Sequence, residues 1–185
     1  MANLVTQQDI ASKIGRDLTA EEDTAYSILY AAMVAWVEGM IGSSISPAEL
    51  TTRYYDGGVH NLSIDPCTEI ESIKYVDHDY NVDSSFADNE FTAEPVNRTL
   101  KFWLRCRHGR FMRGENNVAV EAKFSIAGDA GVLAQVKDAI LSAMVSEIGN
   151  TDNLVRESIE GYSVEFAQSE TKDALSKIKL LFPGI

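Results

Sequence analysis

The stretch TAEEDTAYSILYAAMVAWVEGMIG, residues 19–42, decides how the rest of the chain is read. Thr19 is a good N-cap, and Glu22 follows at the spacing of a capping box. Glu21, Glu22 and Asp23 place negative charge at the positive end of the helix dipole. From Ala25 to Val37 the only polar groups are Ser27 and the hydroxyls of Tyr26 and Tyr30. A surface helix carries one apolar stripe, whereas this one is apolar nearly all round. It is too short and too rich in alanine and tyrosine to read as a membrane span. The pattern predicts a helix wrapped by protein, either between layers or half in its own core and half in a neighbouring subunit's. Gly39 and Gly42 fit a close contact and a C-terminal stop.

Working outward, residues 1–50 read as helical. Thr6 to about Ile14 forms a short helix capped by Thr6, with Asp9 at the third position. Residues 51–128 read as a strand-rich insertion. Thr51–Tyr55, Val59–Ile64, Ile70–Val76, Glu90–Thr92 and Thr99–Leu104 are the expected strands. Asp77 to Asp88 reads as a polar loop. NVAVEAKFSIA, residues 117–127, shows the clearest alternation of apolar and polar side chains. Residues 129–185 then carry a helix over Val132–Ile148, a short strand over Gly161–Phe166, and a last helix from Ser169 to about Leu181. The expected class is α+β: a helical bundle from the N- and C-terminal helices around a strand-rich centre, in one domain.

Composition narrows the function. The chain has 185 residues and a net charge of −12, which opposes general coating of nucleic acid. The N-terminus MANLVTQQDIASK has no basic start and no apolar run, so no secretory leader is expected. Cys67 and Cys106 show no metal spacing and read as free thiols of a reducing compartment. The charge is uneven. Five basic side chains lie between Lys101 and Arg113 with no acid, which leaves 11 basic against 28 acidic elsewhere. Arg105, Arg107, Arg110 and Arg113 are therefore candidate partner-binding residues. Phe102, Trp103 and Phe111 interleave with them, a mixture also found in single-strand nucleic-acid grooves. The apolar C-terminus adds Leu181, Phe182 and Ile185 as a candidate docking peptide.

No catalytic constellation emerges. His60, His78 and His108 are dispersed, and there is no HExxH, GxSxG, P-loop or GxGxxG. No catalytic residue, cofactor site or metal site is assigned. Asp77, Asp79, Asn81 and Asp83, with Asp88 further on, fall in a calcium-loop register. Val82 stands where that loop needs glycine, so ordinary turn chemistry accounts for the same residues. A calcium-binding interaction module is the alternative that this loop leaves open.

The order of parts resembles the larger head–tail connector (adaptor, or head-completion) proteins of long-tailed bacteriophages. The resemblance is carried by the 19–42 helix, by TTRYYDGG, and by the NVAVEAKFSIAG strand running into VKDAILSAMVSEIGN. RESIEGYSVEFA continues it. The proline expected ahead of Val136 is missing; Gly131-Val132-Leu133 stands there. The resemblance implies a non-enzymatic structural protein of the virion, made in the bacterial host cytoplasm, without cofactor or membrane. It implies a homo-oligomeric ring, usually of twelve copies, beneath the portal protein of a filled capsid. Such a ring extends the channel for double-stranded DNA without sequence readout and meets a stopper or tail-terminator protein on its other side. Another neck or tail ring protein is the alternative within the same class.

Overall fold

A computed structural model describes residues 3–87, 89–148, 177–178 and 181–182. The chain is α+β, with helices toward both ends and antiparallel sheets between them. It divides into two compact units. The first takes the described parts of Met1–Met40 and Gly131–Leu181, and the second those of Ile41–Ala130 and Phe182–Ile185.

The first unit is helical. Helix α1 spans Gln7–Ile14 and opens on the expected capping box: Asp9 N–H donates to Thr6 Oγ1, and Thr6 N–H donates to the Asp9 carboxylate. Gly15, at φ +76°, ends it in the left-handed cap that glycine takes without strain. Helix α2 spans Ala20–Ile41. Its buried stripe is Glu22, Tyr26, Leu29, Met33, Val37 and Ile41, stepping by three or four residues. The two tyrosines answer the question of polar groups in an apolar helix. Tyr26 donates its hydroxyl to Val5 O at 2.6 Å, and Tyr30 Oη accepts from Leu4 N–H at 2.7 Å. They fasten the N-terminal segment to the helix. Helix α3 spans Ala130–Ile148 and buries Val132, Val136, Ile140, Ala143, Met144 and Ile148. An ion pair at 3.0 Å joins its Lys137 to Asp9 at the start of α1.

The second unit holds two antiparallel sheets. Strands β1 (Thr51–Tyr55), β7 (Val118–Lys123), β3 (Glu69–Val76) and β4 (Val82–Ser85) form the first, in that spatial order. Strands β2 (Asn61–Cys67), β6 (Lys101–Cys106) and β5 (Phe91–Glu94) form the second. One core serves both: Leu62, Ile64, Cys67, Leu104 and Cys106 from the smaller sheet meet Ile73, Val118, Val120 and Ala122 from the larger. β7 is central and buried on both faces at Val118, Ala119 and Val120, which explains why its sequence signal is strong.

The structure corrects three expectations. Asp77–Asp88 is not all loop, because β4 pairs there with β3 as an exposed edge strand. The second strand runs later than expected and includes Pro66, which an edge strand with a register shift tolerates. Gly39 makes no close contact among the described residues; a Cβ there would meet none of them within 4 Å. The expected strand at Gly161–Phe166 and most of the last helix lie outside the described residues.

The start of α2 depends on one buried carboxylate. Glu22 accepts both Arg16 guanidinium nitrogens, at 2.6 and 2.7 Å, and the Thr19 N–H at 2.8 Å. The arginine and the backbone donor hold its pKa down, to about 2 from the usual 4.5. A depressed carboxylate stabilises the fold above its unfolded pKa and loses that contribution as pH falls through the folded value. Glu22→Gln is expected to lower stability at pH 7 by about 2 kcal/mol. The gap from wild type should close between pH 4.5 and about 2, read as urea midpoints across pH.

Candidate partner-binding surfaces

β6 explains the mixed basic and aromatic segment. Phe102, Leu104 and Cys106 point into the core, while Lys101, Trp103 and Arg105 alternate outward. The aromatics therefore do not form one stacking platform with the arginines. Phe102 and Phe111 are core residues, and Trp103 is half-buried. Arg105 pairs with Glu94 on neighbouring β5 at 2.7 Å. Arg107 Nε donates to Thr92 Oγ1 at 2.8 Å. Both are exposed, yet engaged with their own chain.

Past Arg107 the segment becomes a loop held by its backbone. Phe111 is buried; its N–H donates to Val59 O and its carbonyl accepts from Gly58 N–H, both at 2.9 Å. Met112 N–H donates to Tyr75 Oη at 2.8 Å, and Asn117 Nδ2 donates to Met112 O at 2.9 Å. Gly57 is packed so tightly that a Cβ would strike Met112 O. These anchors leave Arg110 and Arg113 exposed, with no ion pair or hydrogen bond among the described residues.

The C-terminal candidates separate. Phe182 is buried in the second unit, its ring edge-on to Phe102 with centroids 6.0 Å apart. Leu181 is half-buried beside Ile178, within a shallow groove lined by α3 at Ala134, Asp138 and Ser142. Ile185 lies outside the described residues.

The Asp77 segment is a turn. Asp77 Oδ1 accepts from the backbone N–H groups of Asp79 and Asn81, each at 2.9 Å. Those donors hold the carboxylate below its usual pKa. Among the described residues no three His, Cys, Asp or Glu side chains gather as a metal site. Cys67 and Cys106 are buried free thiols, and burial pushes Cys67 up to about 12.

Sequence reasoning missed a polar knot in the second unit. Arg53 Nη1 donates to Asp65 Oδ2 at 2.7 Å and to the carbonyl of Gly42, the residue that ends α2 at φ +67°. Its guanidinium lies 4.1 Å from the Phe124 ring centroid. Tyr55 donates to Asp65 at 2.9 Å, and burial raises the phenol's pKa. Nothing in the spacing of these residues announces the group; strand pairing assembles it.

No protein-family profile matches the chain, and no curated protein matches it. Among solved structures, two show a distant similarity to the chain. One is the neck of an empty GTA (gene transfer agent) particle computed with C6 symmetry. It has 8% identity and a TM-score of 0.47, with 82% of this chain and 77% of that one covered. The other is the neck of a native GTA particle computed with C12 symmetry. It has 10% identity and a TM-score of 0.48, with 96% and 93% covered.

Arg53→Ala and Asp65→Ala are each expected to cost about 2 kcal/mol of unfolding free energy. The double variant should fall short of their sum by about 1 kcal/mol, as expected for partners in contact. Urea denaturation of the three variants and the wild type measures this.

Proposed function

We propose that this chain is a structural subunit of a phage-type neck, assembling as an adaptor ring between the portal and the tail. The carrying observation is the uncovered side of α2. The helix has no charged residue from Thr24 to Val37, yet the described residues bury one stripe of it. Ile28 is 67% exposed, and Ala31, Ala35 and Gly39 are exposed with it. A helix apolar on both sides is built to be buried on both sides. A second copy supplies that burial, and repeated head-to-tail contact closes a ring.

Contrary to the expectation from its sequence, α2 is long and apolar enough to cross a bilayer by length and composition alone, at a mean hydropathy of 1.3. Its buried stripe, its ion-paired Glu22 and the tyrosine bonds to the N-terminal segment favour a protein environment instead. The sequence resemblance described above supports the neck assignment. In this reading the particle holds about twelve copies, as the resemblance implies. The acidic body repels DNA and so lets it pass through the lumen without adhering. The protein performs no catalysis and has no cofactor. Its neighbours are the portal and a stopper or tail-terminator protein, with Arg105, Arg107, Arg110, Arg113, Leu181 and Ile185 as candidate contacts; Phe182, buried on Phe102, is withdrawn from that set.

The test is the mass of the full chain, alone and with a cognate portal ring, by light scattering and negative-stain imaging. Rings are expected. Ile28→Glu should abolish them while leaving the circular dichroism spectrum unchanged. A wild-type monomer that ignores the portal overturns the reading.

A further inference from the structure

Two exposed tips of opposite charge stand at one end of the four-stranded sheet. Tyr55 and Tyr75 both pair with Val118, and Val76 N–H donates to Asn117 O at 3.0 Å. The β3–β4 turn follows Val76 and the arginine loop precedes Val118, so both leave the sheet from the same end. The β3–β4 hairpin carries Asp77, Asp79 and Asp83 and no lysine or arginine past Lys74; the loop 107–117 carries Arg107, Arg110 and Arg113 against one acid, Glu115.

Each tip also carries apolar surface. Tyr80 is 54% and Val82 58% exposed beside Asp79 and Asp83; Met112 is 53% exposed beside Arg110 and Arg113. Among the described residues the Asp79 carboxylate pairs with its neighbour His78, at 3.1 Å. Asp83, Arg110 and Arg113 have no partner among the described residues. The bases of the tips are fixed to each other, through the Tyr75–Met112 hydrogen bond and through Phe86, which packs on both Tyr75 and Phe111. The tips are therefore held close without meeting.

We infer that the arginine tip of one copy docks on the β3–β4 tip of the next copy, a charge-complementary, head-to-tail latch between ring subunits. This rests on the ring reading above. Opposite charges flanking small apolar patches fit a specific protein contact, with rim charges setting register and partner choice. A DNA duplex suits the site less well. Any polyanion approaching Arg110 and Arg113 also approaches Asp77, Asp79 and Asp83 at the same end of the sheet.

Charge reversal with rescue tests it. Two variants of the full chain are compared with wild type by sedimentation velocity: Arg110→Glu with Arg113→Glu, and Asp79→Lys with Asp83→Lys. All four positions are exposed, and circular dichroism checks that each variant is folded. Each variant alone should self-associate about tenfold or more weakly, because like charges then face each other. Mixed in equal amounts, they should assemble again, because the Glu loop of one then meets the Lys tip of the other. Wild-type rings should loosen as salt rises from about 50 mM to about 500 mM.

Variants that assemble like wild type, or a mixture that does not recover, overturn the latch and leave the ring standing. A wild-type chain that forms no ring, alone or on a portal ring, overturns both. The remaining alternative is read with a duplex of about 30 base pairs. Loss of duplex binding in the arginine variant, with its assembly intact, assigns the loop to DNA and overturns the latch.

Discussion

An apolar helix face left in water has an unfavourable free energy that only burial removes, and α2 has more such face than the described residues of the chain cover. A fully buried Leu, Ile or Phe contributes about 1.5–3 kcal/mol relative to exposure. The stripe from Tyr26 through Leu29, Met33 and Val37 gains that among the described residues, whereas Ile28, 67% exposed, gains little of it. Everything attached to the helix is arranged to keep it in place. Arg16 and Thr19 fix its start through Glu22, Tyr26 and Tyr30 hold the N-terminal segment to it, and Gly42 ends it. The exposed face is consequently a rigid surface, which costs less to bury on assembly than a mobile one.

The second unit applies the same economy to charge. Its inward positions are apolar, and its outward arginines and carboxylates are either paired locally or grouped by sign. Arg105 with Glu94, Lys123 with Glu69 and Lys74 with Glu121 join neighbouring strands. Exposed pairs of this kind contribute little stability individually. Arg110 and Arg113 on one loop and Asp83 by the hairpin turn are among the exposed groups left over. Unbalanced charge on a fixed scaffold directs association more than it strengthens the fold.

Where a periodic pattern coincided with an element whose environment matched that pattern, the sequence was legible. β7 alternates clearly and is central; α3 buries Val132, Val136, Ile140, Met144 and Ile148, which recur every four residues, while Leu133 and Leu141 are half-buried. Capping at Thr6 and Thr19 was readable because the Asp9 and Glu22 partners lie three residues away. β4 was hidden because all four of its residues are exposed and its pairing comes from β3, not from its own composition. The second strand was placed too early because Pro66, which argues against a strand, sits at a sheet edge where its missing N–H costs nothing.

The chain's own residues thus determined its class, the ends of its helices, the all-round apolar character of α2 and the separation of its charge into blocks. These depend on neighbours within a turn or two, where side-chain spacing and backbone capping act. Tertiary structure alone decided which face of α2 stays uncovered and that Phe182 packs on Phe102. It also brought Arg53, Asp65, Tyr55 and the Gly42 carbonyl together, and set the arginine loop and the β3–β4 turn at one end of a sheet. Those depend on strand register between residues tens of positions apart, which local sequence does not encode.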